Sequence, residues 1–325
     1  TLKCSALQET KAKSKSKSKK ENKIDTEIQP QTKVCGKSAF YCKEELQTDS
    51  SGNTIYSGLC KTHFKKSGEE RLPGGASIMI KEGVLKNPNV ESILGQHVMP
   101  LMEVGKVGFR PGLYMASADE IYIRVIGKGG HGAHPHQNID PVMIAAQIIT
   151  QLQTIPSRRA KPSIPTVLSI GKVIAEGSTN IIPNEVYMEG TFRTYDEEWR
   201  AKAHQLIVQM CNDICKLHGA TCEAEVRKGY PFLMNDEKLT ENAKQWATEY
   251  LGAENVLDLE LWPAGEDFAY YSQEIPACFY RLGTKNEAQG KTSMVHTPTF
   301  DIDEEALKIG SGLMAWLAIQ ELQTK

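Results

Sequence analysis

Asp119-Glu-Ile-Tyr-Ile-Arg-Val-Ile126, followed one loop later by Asp140-Pro-Val-Met-Ile-Ala-Ala-Gln-Ile-Ile-Thr-Gln-Leu152, is the stretch on which the fold turns. The first run alternates, with Ile121, Ile123 and Val125 on one face, and predicts a half-buried strand. Asp140-Pro141 then predicts a sharp helix start, an N-cap acceptor followed by a proline at the first helical position. Val142, Ala145, Ile148, Ile149 and Leu152 recur with helical period. Two strand-like runs follow, Thr166 to Ile174 and Asn184 to Thr194. Thr194-x-x-Glu197 reads as a capping box. It would open a helix marked by Trp199, Ala203, Leu206, Met210, Ile214 and Leu217, and Gly219 suits the stop. Cys222, Ala224 and Val226 alternate as a last strand. The order β-α-β-β-α-β is that of a split β-α-β, ferredoxin-like unit spanning residues 115–228.

The flanks have another character. Residues 68–114 predict a helix from Gly75 to Glu82 and a buried strand near Ile93 to Val98. Residues 229–325 predict a helix from Asp236 to Leu251, a strand from Ala277 to Leu282 and a closing helix from Glu304 to Gln323. Together 68–114 and 229–325 would form one α/β domain into which 115–228 is inserted.

Bulk composition separates the N-terminal part from the rest. Residues 1–66 hold 14 Lys against 7 Asp and Glu, a balance of +7, whereas residues 67–325 hold 24 Lys and Arg against 33 Asp and Glu, a balance of −9. The Lys/Ser run Lys11 to Lys20 and the absence of aromatics predict a disordered basic tail over 1–34. Residues 35–67 contain Cys35, Cys42, Cys60 and His63. The two-residue gap of Cys60-Lys-Thr-His63 lets both side chains grip one ion, so these four are candidates for a small structural zinc site, with unligated thiols in a loose loop as the alternative. No apolar run reaches the ~18–20 residues that span a bilayer. Eight cysteines are not a disulfide-dense pattern. Cys211, Cys215, Cys222 and Cys278 read as small core hydrophobes, and a reducing, cytoplasmic location is expected.

The chemistry concentrates at a carboxylate pair, Glu69-Glu70 in Ser-Gly-Glu-Glu-Arg, and two histidines, His97 in Gly-Gln-His-Val and His296 in Val-His-Thr-Pro. Adjacent carboxylates can divide two tasks, one holding a cation and the other moving a proton. Imidazoles are frequent ligands of Zn²⁺, Mn²⁺ and Co²⁺. Glu70 precedes a helix, His97 is read as following a buried strand, and His296 lies in a loop. All three fall at connections of the same inferred α/β domain, where sites of open α/β sheets sit. A histidine after a strand is commonly structural, but three candidates converging in one domain favour a site. His134 and His136 read as local hydrogen-bonding groups, His204 as a helix-surface residue and His218 as a helix C-terminal cation.

From Gly68 onward the chain resembles the M20 metallopeptidase/amidohydrolase family, in the branch of N-acyl-amino-acid amidohydrolases, hippurate hydrolases and indole-acetyl-amino-acid hydrolases. The matching pieces are Gly68-Glu-Glu70, Gly95-Gln-His-Val98, Gly129-Gly-His-Gly-Ala133 with Pro135-His136 and Asp140-Pro141, Asn180-Ile-Ile-Pro183, Gly190-Thr-Phe-Arg193, Gly265-Glu-Asp-Phe268 and His296-Thr-Pro298. The resemblance implies a zinc-peptidase-like α/β catalytic domain with an inserted ferredoxin-like α+β lid that also dimerises. It implies Glu69 as general base, Glu70, His97 and His296 as metal ligands, and His131 as the hydrogen-bond donor to the scissile carbonyl oxygen. It also implies that Asn180 and Arg193 hold the substrate from the lid, with Glu266 at the rim of the site. The cofactor would be a divalent metal, Zn or Mn with Co as a further option, and the substrate an N-acyl-amino acid or short peptide. Neither nucleic acid nor membrane is the expected partner.

Residues 1–67 depart from that pattern. The family's His-x-Cys-Gly-His-Asp-x-His motif is not present. Val34-Cys-Gly-Lys-Ser-Ala-Phe40 echoes it faintly, with Lys37, Ser38 and Phe40 in the places of His, Asp and His. The catalytic domain is therefore expected to be N-terminally truncated, with a weakened binuclear site. Two alternatives stand beside a working amidohydrolase: a catalytically impaired relative, and a zinc-knuckle or basic-tail binding protein fused to the hydrolase remnant.

Overall fold

The computed structural model describes residues 74–86 and 88–324 in full, and ahead of them only the backbone of four strands. The chain divides into Thr1–Leu72 and Pro73–Lys325. In the first unit β1 (Ser5–Ala6) pairs antiparallel with β2 (Lys33–Val34), and β3 (Lys43–Thr48) with β4 (Thr54–Leu59). The remainder of the expected tail and the candidate zinc ligands Cys35, Cys42, Cys60 and His63 lie outside the described residues, as do Glu69 and Glu70.

The second unit contains two four-stranded sheets. In one, β15 (Val256–Asp258), β6 (Val107–Phe109), β16 (Ala277–Lys285) and β5 (Ile93–Glu103) lie side by side in that order. The pairs β15–β6 and β16–β5 are parallel, and β16–β6 is antiparallel. Segments far apart in sequence thus share one sheet. Helices cover both of its faces. Cys278, Tyr280 and Leu282 of β16 point toward α4 (Glu237–Leu251) and α6 (Glu305–Gln323), packing with Leu239, Trp246, Leu313 and Leu317. Ala277 and Phe279 point the other way, toward Ala76 of α1 (Gly74–Lys81) and Ala269 and Tyr271 of α5 (Ala269–Ser272). Burial on both faces explains why this strand reads as a continuous apolar run rather than an alternating one. Each fully buried large apolar side chain contributes about 1.5–3 kcal/mol.

The other sheet has the order β10 (Thr166–Ile174), β12 (Glu185–Thr194), β8 (Ala118–Ile126), β13 (Thr221–Tyr230), antiparallel throughout. This is the strand order of a split β-α-β unit. Its helices α2 (Pro141–Leu152) and α3 (Glu197–Leu217) pack on one face, where Ile121, Ile123 and Val125 meet Ile144, Ile148, Leu152, Ala203 and Ile207. Asp140 caps α2 as the sequence predicts, accepting from the backbone N–H of Val142 at 2.9 Å and of Met143 at 3.3 Å. Gly219, at φ 73°, ends α3 in the left-handed conformation that glycine adopts freely.

Two local expectations are corrected. The cap of α3 is Asp196, not Thr194: its carboxylate accepts from the Trp199 N–H at 2.7 Å. Thr194 stays in β12 opposite Thr166, its N–H donated to the Ser117 hydroxyl at 3.1 Å, so it is not free to cap. Replacing Asp196 with Ala is expected to cost about 1 kcal/mol of stability, read from urea denaturation. His204 is not a surface residue. Its Nε2 lies 2.8 Å from Asp119 Oδ2, beside the buried Arg200. The ring faces inward because a buried carboxylate needs donors.

The four described cysteines are free, three of them buried. Burial pushes the Cys215 thiol up to about 12, as expected of an unreactive core residue. Among the described residues no helix is long and apolar enough to cross a membrane.

Candidate active site

His97 lies inside β5, in keeping with the strand expected near Ile93 to Val98 and not beyond a strand's end, where its reading as a post-strand residue would put it. Pairing with β16 continues past it through Met99 and Glu103, and Met102, buried beyond it, keeps the strand worth extending. Period-2 geometry puts His97 on the same face as Ile93, the face covered by α1 and α5. Its ring meets Phe279 edge-on, with centroids 6.2 Å apart. Nδ1 lies 2.7 Å from the carbonyl oxygen of Val98. A carbonyl can only accept, so Nδ1 carries the proton and Nε2 presents its lone pair. Burial holds the His97 imidazole below its ordinary value, and the charges of Arg281 and His296 add to that lowering. The structure therefore brings His296 within electrostatic reach of His97.

His296 sits in the loop between β16 and α6 at φ 65°, the one non-glycine residue with positive φ among the described residues. Such backbone strain clusters at functional sites and persists only where the surroundings hold it. Here the loop is tied by Asn286 to Asp303, by the ion pair of Lys291 with Asp301, and by Thr297 Oγ1, which donates to the Met294 carbonyl at 2.7 Å.

Arg281 faces His97 across the β16–β5 pair. It is 4% exposed, its Nε donates to the Tyr114 hydroxyl at 2.8 Å, and its guanidinium lies 5.2 Å from the Phe279 ring centre. Neither Arg281 nor Tyr114 was singled out from the sequence. A signal was available: Arg281 is the sole charge in the apolar run Ala277 to Leu282. Glu266 and Asp267 precede α5 and divide their work. Asp267 Oδ2 accepts the Ala76 N–H at 3.0 Å, near the start of α1. Glu266 is pushed up by burial, partly offset by its hydrogen bond from the Phe268 N–H and by the Arg281 charge. His97, His296, Arg281, Tyr114 and Glu266 thus form one electrostatically linked group.

His131 and Asn180 come together elsewhere. β9 (Gly130–His131) pairs with β11 (Ile181–Ile182), placing His131 opposite Ile181. The Gly132 N–H donates to the Asn180 carbonyl at 2.8 Å. Both residues are exposed. Arg193 is separate, half-buried in β12 opposite Val167. Among the described residues no three His, Cys, Asp or Glu side chains are grouped so as to hold a metal ion. The two imidazoles nevertheless have the right donor chemistry, His97 through its Nε2 lone pair, while the proposed ligand Glu70 falls outside the described residues.

The architecture is a sheet carrying helices on both faces, interrupted in sequence by a split β-α-β unit, with His97, Arg281 and the half-buried Glu266 on and beside the helix-covered face. The chain matches peptidase family M20/M25/M40 over residues 66–320, and it belongs to that family. It is 37% identical over 255 residues to an N-acetylcysteine deacetylase of Bacillus subtilis, covering 78% of this chain and 65% of that protein. It is 33% identical over 260 residues to the IAA-amino acid hydrolase ILR1-like 4 of Arabidopsis thaliana, covering 77% and 57%. Among solved structures it resembles the Bacillus subtilis YXEP protein, described as a dinuclear metal binding peptidase of the M20 family, with a TM-score of 0.62 at 34% identity, covering 78% and 63%. The chain thus spans about two thirds or less of the length of these relatives.

Proposed function

We propose that this chain is a metal-dependent amidohydrolase acting on N-acyl-amino acids or related amides. The reading rests on one observation above all: His97, with Nε2 left as a lone pair by the Nδ1 contact to the Val98 carbonyl, stands opposite the buried Arg281, and the charge of His296, 199 positions away, acts on its ring. Family membership and the relatives described as a deacetylase and an amino-acid-conjugate hydrolase support the same chemistry. Glu70, His97 and His296 would hold a divalent cation, Zn, Mn or Co. When bound, the cation supplies Lewis acidity that makes water a nucleophile near neutral pH. Glu69 takes the proton from the attacking water and returns it to the departing amine. His131 donates a hydrogen bond to the amide oxygen as charge gathers there. Arg193 matches a substrate carboxylate with its two-pronged guanidinium, and Asn180 orients the amide. Glu266 closes the rim. The inserted unit, residues 115–228, acts as a lid and as the surface through which two copies pair.

The test is metal content and turnover measured together. With Mn²⁺, Co²⁺ or Zn²⁺ added, the chain is expected to bind metal and hydrolyse N-acetyl- or N-benzoyl-amino acids, and a chelator is expected to remove both properties. Stoichiometric metal without turnover on any of these substrates would leave a silent relative acting through its lid. A salt-dependent nucleic-acid complex, lost on deleting residues 1–66, would instead favour the basic-tail reading.

A further inference from the structure

The loop that carries His131 is built with more hydrogen bonds than its exposure requires. The Ala133 N–H lies 3.1 Å from His131 Nδ1. A backbone N–H can only donate, so Nδ1 must offer its lone pair, and the proton of the neutral ring resides on Nε2. The ring is held in that state only if the backbone of 131–133 stays in place. Three contacts fix it. The His131 carbonyl accepts from the His134 N–H at 2.9 Å and from Asn138 Nδ2 at 3.1 Å. The Gly132 N–H is bonded to Asn180 at 2.8 Å. Asn138 in turn lies flat on Gly130, where an added Cβ would meet Asn138 Oδ1 at 2.3 Å. Glycine at 130 is therefore what lets the Asn138 side chain reach the His131 carbonyl.

We propose that Asn138 and the Ala133 backbone amide are positioning groups that hold His131 as the neutral tautomer with its proton on Nε2. His131 and Ala133 are two residues apart, so the geometry is local, but Asn138 returns from seven residues downstream across the turn Pro135–Gln137. Among the described hydrogen bonds Nε2 takes part in none, which leaves its N–H available to an incoming acceptor. The neighbouring rings, His134 at 5.1 Å from His131 and His136 at 6.0 Å from His134, add no hydrogen bond to it. The ring so held is a hydrogen-bond donor at Nε2 and not a proton acceptor there. That matches a partner oxygen gaining negative charge and is wrong for a general base. The use of this donor rests on the amidohydrolase reading above, whereas the tautomer itself does not.

The experiment is a two-bond ¹H–¹⁵N spectrum of the ¹⁵N-labelled full chain above pH 7, with His131→Asn identifying the His131 signals. The Nε2–H form is expected as the sole neutral species. Asn138→Ala, and Asn138→Asp as a near-isosteric variant without the donor, are expected to give a mixture of tautomers. Where hydrolysis of an N-acetyl-amino acid is measurable, both variants should lower kcat at least about tenfold with little change in KM, as a misplaced tautomer does in other hydrolases. An Nδ1–H ring in the unmodified chain, or the mixture of an unconstrained histidine, would overturn the proposal. Variant spectra identical to the unmodified one would remove Asn138 from it. The expected tautomer in a chain that never cleaves an amide would overturn the amidohydrolase reading and leave this assignment standing.

Discussion

Glu69→Gln is expected to lower kcat/KM for N-acyl-amino acid hydrolysis by about 10²–10⁴-fold while leaving the bound metal in place. The substitution keeps the shape and removes only the capacity to take a proton. In the proposed arrangement Glu70, not Glu69, is the ligand, so metal content should not follow activity down. This separation is the informative part. A residue that was merely an anion near the helix beginning at Gly74 would, on losing its charge, cost at most about 1 kcal/mol of stability and leave both activity and metal in place. Measuring metal by atomic absorption on the same preparations used for kinetics decides between them. Full activity in Glu69→Gln would end the assignment of Glu69 as base, and loss of metal in step with activity would move it among the ligands.

Asp119→Asn is expected to destabilise the fold by about 3–5 kcal/mol, the cost of leaving a buried charge without its partner. Both Asp119 and Arg200 side chains are 0% exposed. Asp119 accepts from Arg200 Nε at 2.9 Å and from Arg200 Nη2, from the Gly229 N–H at 3.0 Å, and shares Oδ2 with His204 at 2.8 Å. An asparagine turns an NH₂ group toward a guanidinium that has only donors. Glu197, at 2.7 Å from Nη1, would be the sole carboxylate left to Arg200. The cluster lies where β8 begins and β13 ends, and Tyr270 of the other sheet's helix layer donates to the Gly229 carbonyl at 3.2 Å. Its loss should loosen the root of the inserted unit as well as the unit itself.

The same group sets an acid limb. Burial opposes the Asp119 charge, yet hydrogen bonds from Arg200 and His204 outweigh it and hold the carboxyl below its ordinary value. With the folded value below the unfolded one, near 3.9 for a free aspartate, its contribution is fully present above the unfolded value. It is lost as pH falls through the folded value. Urea midpoints compared at pH 7 and in the acid range should show the gap between the unmodified chain and Asp119→Asn narrowing on acidification. A constant gap would mean that Asp119 does not titrate differently in the two states.

Much of the fold was legible because its elements obey short-range rules. The run 119–126 alternates, Asp140-Pro141 announces a helix, and Gly219 ends one; all three readings match the elements found. The short strands Val107–Phe109, Gly112–Met115, Leu233–Asn235 and Val256–Asp258 carried no such signal. Three or four residues are too few to display a period, and they are strands only because a neighbour supplies the hydrogen bonds. His204 was misread for a related reason. On a helix wheel it is a polar residue at a polar position, and only the arrival of Asp119 from 85 positions away turns it inward.

The sequence by itself determined the family, the alternation of helices and strands in the inserted unit, and the residue types available for chemistry, because motifs and periodicities are properties of neighbours along the chain. Tertiary structure alone decided which of those residues meet: His97 with Arg281 through the β16–β5 register, Arg281 with Tyr114 through a buried hydrogen bond, Asp119 with Arg200 and His204 in a buried knot. Register and burial are set by packing between segments whose separation along the chain exceeds any local pattern, so the partners of a charge become visible only when the sheets have closed.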